Sequence, residues 1–333
     1  MCPQNCLLAA AVVQAITIDT VPVGNPGNAG ELSGDGAGGW GPDRVCGTVG
    51  YAYNIGKYEV TAGQYTAFLT AVAATDTYGL YNTNMSNSSY GSGIARAGSA
   101  GSYAYSVDPA FVNRPVNYVS FWDACRFANW LNNGQQGAGT TEYGAYTLTS
   151  DGINNNTITR NTGAQWAVTS EDEWYKAAYY DPTTGTYFDY PTSSNTAPGQ
   201  DMADPLPGNN ANYYTFSGAY PIDSGKYTTV AGEFQNSDSP YGTFDQGGNV
   251  FEWNEAILYG SERGLRGGSF YGDGGTFYGV ANLRAAGRDG NDLLGESFAI
   301  GFRVSEVPEP VTMATVGLGI AGLGGYIRRR MAR

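Results

Sequence analysis

Two carboxylates in the last third of the 333-residue chain have a spacing that suits a cation site. Asp245 and Glu252 lie seven residues apart and flank Gly247 and Gly248, which let the backbone turn tightly and aim its carbonyls inward. Carboxylate and carbonyl oxygens are the hard ligands that Ca²⁺ prefers, at about 2.3–2.6 Å. The spacing alone also fits a turn with solvated acids, so the calcium hypothesis needs independent support.

The chain contains no histidine, which removes the commonest general base and the Ser-His-Asp triad. Most zinc, copper and iron sites are removed with it, and we expect no copper, zinc or haem. Of the four cysteines, Cys46 and Cys125 would remain after loss of an N-terminal signal. A disulfide between them would contribute about 4 kcal/mol through loop entropy. Two separate buried thiols are the alternative.

The overall composition is acidic and rich in glycine and tyrosine. The net charge of −13 repels phosphate backbones, which argues against nucleic acid as a partner. The 49 glycines and 26 tyrosines favour turns and irregular loops pinned by aromatic rings over long regular helices.

Three helices are predicted from their N-terminal caps. Capping patterns occupy residues 61–64, 120–123 and 170–173, each followed by apolar residues at helical spacing. Gly134 should end the second helix and Pro182 the third. Residues 50–59 and 146–160, the latter divided by Asp151-Gly152, have the pattern of strand or hairpin segments. Residues 191–212 form a predicted long loop.

Both ends of the chain have the pattern of export signals. Residues 1–15 are predicted to be a truncated signal peptide that ends in Val13-Gln14-Ala15, with a buried strand as the alternative. Val307-Pro308-Glu309-Pro310 precedes seventeen uncharged, mostly apolar residues and three arginines. A helix of that length would reach roughly 25 Å, and the arginines would stay on the cytoplasmic side. Residues 307–333 resemble a PEP-CTERM sorting signal, in which Pro308, Glu309 and Pro310 mark the cleavage region for an exosortase.

Between these signals, residues 16–305 resemble the formylglycine-generating-enzyme (sulfatase-modifying factor) family. Seven motifs carry the resemblance, in the family's order along the chain. They are Lys57-Tyr58-Glu59-Val60-Thr61, Pro115-Val116-Asn117-Tyr118-Val119-Ser120, Ser170-Glu171-Asp172-Glu173-Trp174, Phe244-Asp245-Gln246-Gly247-Gly248-Asn249-Val250-Phe251-Glu252-Trp253, Leu265-Arg266-Gly267-Gly268-Ser269-Phe270, Arg284-Ala285-Ala286-Gly287-Arg288 and Ile300-Gly301-Phe302-Arg303-Val304.

The resemblance implies an α+β, C-type-lectin-like fold of formylglycine-generating-enzyme type, low in regular secondary structure and fixed by calcium. The family's calcium ligands correspond to the Asp245 and Glu252 side chains and to the Gly248 and Val250 carbonyls. A second family calcium site corresponds to the side chain of Asn212 and the carbonyl of Tyr213, with Asp223 as a candidate acidic partner at a different spacing.

This chain lacks the residues that the family uses for its oxidase chemistry. Formylglycine-generating enzymes oxidise a substrate cysteine with a copper ion held by a cysteine pair, and the corresponding positions are Gly272 and Phe277. No cysteine follows Cys125. Ser269 is kept, but without a base or metal its hydroxyl is expected to make only local hydrogen bonds.

We therefore predict an exported, non-catalytic, calcium-stabilised module at the cell surface or in the extracellular matrix. Its glycine- and tyrosine-rich loops would bind a glycan, a matrix polymer or a protein. One alternative is a divergent oxidase, or an enzyme with carboxylate chemistry around Asp245, Glu252 and Asp273. Another is a hypervariable lectin-like protein with diversified residues between Gly-Gly-Ser and Gly-Phe-Arg.

Overall fold

The computed structural model describes residues 15–215, 222–223, 225–271 and 279–307. The predicted signal peptide before residue 15 and the sorting motif Pro308, Glu309 and Pro310 lie outside the described residues, as do Gly272, Asp273 and Phe277. Within the described ranges, no helix is long and apolar enough to span a bilayer.

Four α-helices occur in the described part of the chain. They are α1 (Ala62–Val72), α2 (Phe121–Asn132), α3 (Ser150–Asn154) and α4 (Glu171–Tyr179). The three predicted helices are confirmed as α1, α2 and α4. Thr61, Ser120 and Ser170 each close a reciprocal capping box with the residue three positions on. Two backbone N–H groups that the helix leaves without partners are thereby satisfied at each start.

The strands are short, and most have two to five residues. They are β1 (Thr20–Val23), β2 (Glu31–Ser33), β3 (Arg44–Cys46), β4 (Tyr53–Gly56), β5 (Ile94–Ala97), β6 (Ala104–Val107), β7 (Trp166–Val168), β8 (Tyr180–Asp181), β9 (Thr186–Tyr187), β10 (Phe251–Leu258), β11 (Glu262–Arg266), β12 (Asp289–Asp292), β13 (Ile300–Phe302) and β14 (Val304–Glu306). No strand or helix occupies the predicted loop at residues 191–212.

Two four-stranded sheets organise the molecule. The first has the order β1-β4-β14-β7 with antiparallel neighbours throughout, and the second has the order β12-β11-β10-β13. In the second sheet β10 and β13 are parallel, with Glu252 opposite Gly301. Arg303 is the only residue between β13 and β14, so the chain passes from one sheet to the other at this position.

The largest apolar cluster lies between the two long helices and these sheets. Phe127 of α2 is at its centre, with ring centroids 5.4 Å from Phe68 of α1, 5.6 Å from Trp130 and 5.4 Å from Phe302 of β13. Edge-on and tilted ring packing of this kind adds to the stabilisation from burial alone. The core therefore fixes β13, and through it Arg303, against both helices.

The strand predicted at residues 146–160 is wrong over its whole length. The side chain of Thr149 accepts a hydrogen bond from the N–H of Gly152 at 3.1 Å and caps α3, so Asp151-Gly152 lies inside a helix. Tyr146 exchanges two backbone hydrogen bonds with the side chain of Asn129, at 2.7 and 3.0 Å. The Asn129 amide thus makes the backbone hydrogen bonds that a neighbouring strand would otherwise make. The alternating sequence pattern does not reveal this contact.

The candidate disulfide between Cys46 and Cys125 is not formed, and the alternative of two separate buried thiols holds. Cys125 lies on α2 inside the largest cluster, whereas Cys46 on β3 packs in a second cluster with Trp174 and Tyr179. Burial raises the pKa of the Cys46 thiol to about 11, with Glu171 adding to the effect, so this thiol stays protonated at neutral pH.

Glu171, at the start of α4, is held by three arginines. Its carboxylate pairs with Arg44 at 2.7 Å, Arg266 at 2.8 Å and Arg288 at 2.7 Å. Burial by itself raises the pKa of Glu171, but the arginines outweigh that effect and lower it to about 2. This cluster joins α4 to β3, to β11 and to the segment just before β12.

We predict that Glu171 contributes to the loss of stability in acid. Its folded pKa lies below the ordinary value of 4.5, so its contribution is complete above pH 4.5 and is lost as the pH falls towards 2. At pH 6, Glu171→Gln should unfold at a lower temperature than the wild type, because the buried arginines lose their partner. We expect its free energy of unfolding to be lower by about 3–5 kcal/mol. Its melting temperature should also fall less steeply below pH 4.5 than that of the wild type.

Melting curves by circular dichroism between pH 6 and pH 2 measure both effects. The control is Asp238→Asn, at an exposed acid, which should keep the wild-type curve. If the melting temperatures of Glu171→Gln and the wild type fall equally steeply below pH 4.5, the prediction is contradicted.

Candidate functional site

The Gly-Gly-Ser segment that follows β11 forms one wall of a cleft. Gly267 and Gly268 have left-handed φ angles of +94° and +74°. A Cβ at Gly267 would lie 2.6 Å from the carbonyl oxygen of Gln246, and one at Gly268 would lie 2.8 Å from the side chain of Leu283. Glycine is therefore required at both positions, and the turn it allows buries Ser269.

The Ser269 hydroxyl makes the local hydrogen bonds expected from the sequence. It donates to the carbonyl of Tyr271 at 2.9 Å and accepts from the N–H of the same residue at 3.2 Å. Neither bond provides a base that could take the hydroxyl proton, so the geometry does not prepare Ser269 as a nucleophile.

The cleft beside Ser269 has a volume of about 290 Å³. Its lining combines aromatic side chains with side-chain amides, hydroxyls and one carboxylate. The described lining residues are Phe251, Leu265, Ser269, Tyr271, Asn282, Asp289, Gly290, Asn291, Ser297, Phe298, Ala299 and Ile300. None of these residues carries a thiol or an imidazole. Asn282 is 6% exposed, and its Oδ1 has no hydrogen-bond partner among the described residues.

An aromatic cluster adjoins the cleft and is centred on Phe298. Its ring centroid lies 4.7 Å from Tyr271, 5.4 Å from Tyr90 and 6.3 Å from Tyr118. The side-chain amide of Asn117 donates to the carbonyls of Phe298 and Tyr90, both at 2.7 Å, and so ties the two segments together. The predicted role for tyrosines as pins of irregular loops is visible here.

A larger cleft of about 440 Å³ lies between residues 16–19 and the start of α1. Two of its polar lining residues, Thr61 and Gln64, already bond each other's backbone N–H in the capping box. Gln64 also donates to the carbonyl of Thr17 at 2.9 Å. Thr61 and Gln64 therefore serve the fold, while Glu59 also lines this cleft.

The Asp245–Glu252 loop is pinned to the chain at Asn212. Asp245, Gly248 and Asn249 all have left-handed φ angles, of 59°, 91° and 55°. The N–H of Asn249 donates to the carbonyl of Asn212 at 2.7 Å, and a Cβ at Gly248 would come within 2.2 Å of the same oxygen. Asn249 accepts in turn from the N–H of Phe270 at 2.9 Å, which joins the loop to the Gly-Gly-Ser segment.

Glu252 is committed to a buried ion pair. Arg303 donates to both of its carboxylate oxygens at 2.6 Å, and the indole N–H of Trp174 donates at 2.7 Å. Both members of the pair are fully buried. The charge of Glu252 is therefore balanced within the protein.

Asp245 lies in the same region with less compensation. Its carboxylate accepts a hydrogen bond from the N–H of Gly232 at 2.6 Å. Burial raises its pKa to about 6, against the opposing effects of that hydrogen bond and of Arg303. A negative charge on Asp245 is thus disfavoured in the absence of a further cation.

Glu59 completes the acidic group and was missed as a site residue from the sequence. It is 1% exposed, and neither carboxylate oxygen has a hydrogen-bond partner among the described residues. Burial, then Asp245, then Glu252 raise its pKa well above the ordinary value, while Arg303 lowers it. The available signal was an acid between Tyr58 and Val60, inside one of the motifs that carry the family resemblance.

The donors around Asp245 fit a hard cation in chemical type. Carboxylates and backbone carbonyls are oxygen ligands, and the unpartnered carboxylate of Glu59 is the kind of group that a cation would satisfy. In the part of the chain that the structure describes, no three His, Cys, Asp or Glu side chains form a group that could hold a metal ion. Carbonyls such as those predicted at Gly248 and Val250 would have to supply further ligands.

The second predicted site has an oxygen without a partner among the described residues, and its candidate acid forms an ion pair. The amide of Asn212 donates to the carbonyl of Tyr227 at 2.8 Å, while its buried Oδ1 has no partner among the described residues. The carbonyl of Tyr213 accepts from the side chain of Gln200. The carboxylate of Asp223 forms an ion pair with Arg114.

Comparisons with known proteins agree with this architecture. The family model for the sulfatase-modifying factor enzyme 1-like domain matches residues 34–307. Among solved structures, the chain is similar to CarF, with a TM-score of 0.53 and 22% identity over 89% of this chain and 100% of CarF. It is also similar to Treponema denticola variable protein 1, with a TM-score of 0.51 and 18% identity over 89% of this chain and 99% of that one.

No curated protein sequence matches the chain. At these identities the structural similarities establish the fold alone. They confirm the predicted α+β, C-type-lectin-like fold of formylglycine-generating-enzyme type, low in regular secondary structure. Because the family model covers most of the sequence, the chain belongs to the formylglycine-generating-enzyme (sulfatase-modifying factor enzyme 1-like) family.

Proposed function

We propose that this chain is an exported, non-catalytic binding module of its family, and that the cleft beside Ser269 binds a carbohydrate. The observation that best supports the proposal is the lining of that cleft. Aromatic rings, amides and a carboxylate surround it, and none of its described lining residues is a cysteine or histidine. Such a surface can bind and orient a ligand but offers no group for redox or nucleophilic chemistry.

A sugar fits this lining better than an apolar ligand does. Its ring carries C–H groups on the faces, which pack on aromatic rings, and hydroxyl groups at the edges, which need polar partners. Phe298 and Tyr271 provide the rings, while Asn291 and Asp289 on β12 provide polar side chains at one side. The unpartnered Oδ1 of Asn282 would accept a hydroxyl hydrogen.

We predict that a glycan array will identify a ligand for the purified chain. Asn291→Ala should weaken binding of that glycan by roughly tenfold, about 1.4 kcal/mol, because one polar contact is lost. Phe298→Ala should weaken it further, since a stacking surface is removed. The control is Tyr143→Ala, which changes a 58% exposed tyrosine that does not line the cleft. Absence of any glycan ligand, or full binding by both cleft variants, would count against the proposal.

Catalysis of the family type is not expected. In the sequence, the positions of the copper-binding cysteines hold Gly272 and Phe277. Cys46 and Cys125 are buried in two separate apolar clusters. Burial raises the pKa of the Cys125 thiol well above its ordinary value, so it offers no thiolate for Cu(I).

We predict that the chain will not convert a Cys-X-Pro-X-Arg sulfatase peptide to formylglycine, with or without copper. Mass spectrometry of the peptide is the measurement, with an active member of the family as the positive control. Copper-dependent loss of the thiol with formation of an aldehyde would instead support the divergent-oxidase alternative.

Export and surface display complete the proposal. The sorting-signal pattern around Pro308, Glu309 and Pro310 supports processing by an exosortase, and the net charge of −13 suits an exported protein that does not bind nucleic acid. We predict that the mature protein ends near Pro310. Intact-mass measurement of native protein tests this, and a C-terminus that still carries Arg328–Arg330 would refute it.

Calcium would stabilise the module through the loop at Asp245. The supporting observation is that neither the half-buried Asp245 nor the buried Glu59 forms an ion pair with an arginine of the described residues. If Ca²⁺ binds only the native state, a free calcium concentration of one hundred times the dissociation constant would add about 2.7 kcal/mol to the free energy of unfolding.

A second candidate is a hypervariable binding protein. Most described lining residues of the cleft lie between Gly-Gly-Ser and Gly-Phe-Arg, which is the region where the lectin-like fold tolerates diversity. One of the solved structures with this fold is titled Treponema denticola variable protein 1. Sequencing residues 270–300 across a population would separate this candidate from a fixed carbohydrate-binding module.

A further inference from the structure

Two partly exposed tyrosines, Tyr90 and Tyr227, form the closest ring pair in the described part of the chain, here named the tyrosine stack. Their ring centroids lie 4.3 Å apart, and the ring planes are inclined by only 21°. The two hydroxyl groups are hydrogen-bonded to each other, which raises the pKa of Tyr227. Because the hydroxyl is the only polar group of a tyrosine side chain, this bond means that both rings point the same way. The ring carbons next to each hydroxyl therefore face each other across the stack.

The backbone on each side of the tyrosine stack is fixed by a side-chain amide. The carbonyl of Tyr90 accepts from Asn117 at 2.7 Å, and the carbonyl of Tyr227 accepts from Asn212 at 2.8 Å. Tyr227 also has a φ of +64°, in the left-handed region that residues other than glycine seldom adopt. A strained conformation of this kind persists only where the surrounding structure enforces it. The two rings are therefore held together by the fold.

The other tyrosine pairs of the described residues lack this geometry. Tyr180 and Tyr241 are nearly parallel, at 17°, but their ring centroids are 6.5 Å apart. Tyr175 and Tyr179 lie 4.9 Å apart, but their planes are inclined by 63° and both residues are buried. The remaining pairs lie at 5.1–6.1 Å with inclinations of 56–72°. Within the described residues, close approach, parallel rings and partial exposure are combined in the tyrosine stack alone.

We propose that the tyrosine stack is a site of oxidative cross-linking, at which a peroxidase with hydrogen peroxide, or a similar one-electron oxidant, joins the two rings as dityrosine. Removal of one phenolic hydrogen atom from each tyrosine gives two radicals, whose unpaired electrons are shared with the ring carbons next to oxygen. Those carbons form one C–C bond. Each carbon then loses its hydrogen as a proton to the oxygen of its own ring, which restores both phenols. The two hydrogen atoms removed reduce one hydrogen peroxide to two water molecules.

The stacked geometry favours this bond over coupling between separate chains. Two radicals that are already in contact need no diffusion to meet, so their effective concentration far exceeds that of another chain in solution. The ring centroid of Tyr90 lies 5.4 Å from that of Phe298, which lines the cleft beside Ser269. The ring centroid of Tyr227 lies 5.7 Å from that of Phe270. A cross-link would thus fix the aromatic side of the cleft covalently.

Oxidation of the purified chain in dilute solution with a haem peroxidase and hydrogen peroxide tests the proposal. After digestion of the monomer, mass spectrometry should find two peptides joined through Tyr90 and Tyr227. The joined pair should be lighter than the two separate peptides by two hydrogen atoms. The fluorescence of dityrosine should increase in the monomer over the same period.

Tyr90→Phe and Tyr227→Phe each keep a ring in the stack but remove one phenol. Each variant should lose the joined peptides and most of the dityrosine fluorescence of the monomer. The matched control is Tyr143→Phe, at a 58% exposed tyrosine outside the stack, which should keep both signals.

Wild-type dityrosine fluorescence in the monomers of both stack variants would overturn the proposal, as would dityrosine that forms only between chains. The reaction needs neither calcium nor a glycan. Failure of the cross-link would therefore leave the carbohydrate and calcium proposals standing, and failure of those proposals would leave the cross-link standing.

Discussion

The buried ion pair between Glu252 and Arg303 connects parts of the molecule that would otherwise be separate. Arg303 lies where the chain leaves the second sheet and enters the first. Its guanidinium binds Glu252 on β10 and donates to the carbonyls of Gly56, at the end of β4, and Phe244, both at 2.9 Å. Since loss of one partner leaves an uncompensated buried charge, at about 3–5 kcal/mol, the relative position of sheets and loop depends on this pair.

Buried guanidinium groups satisfy backbone carbonyls that strands and helices satisfy in more regular folds. Arg263 donates to the carbonyls of Ile158 and Glu255, and Arg266 donates to those of Ala285 and Gly287, at 2.7–3.0 Å. Carbonyls in irregular segments lack ladder partners, and a guanidinium with five donors can satisfy several at once. A fold low in regular structure can thereby bury much of its backbone.

The local features of this fold could be predicted from the sequence, because their causes are local. The capping boxes that begin at Thr61, Ser120 and Ser170 each involve residues three positions apart, and all three helices are present. In the segment at residues 146–160, the backbone of Tyr146 is satisfied by the distant side chain of Asn129, which the sequence does not show. The cap of α3 at Thr149 is local, but the alternating pattern was given more weight.

At the site, too, local motifs could be recognised in the sequence, whereas long-range contacts could not. The loop at Asp245 and the Gly-Gly-Ser segment were identified as motifs, and the structure brings them together through Asn249 and Phe270. Glu59 was missed because only the folded chain shows that neither arginine nor water reaches its carboxylate. The partner of Asp223 could not be foreseen either, since Arg114 is more than a hundred residues away.

The position of β14 has a consequence for how the chain is made. Val304–Glu306 is an interior strand between β4 and β7, so the first sheet lacks its centre until nearly all of the domain has been synthesised. At about 5–20 residues per second, β4 waits roughly 12–50 s at the ribosome for this partner. During that interval Ile55, fully buried in the finished fold, lies on an open strand edge. The first sheet therefore cannot close until the last strand of the domain has been made.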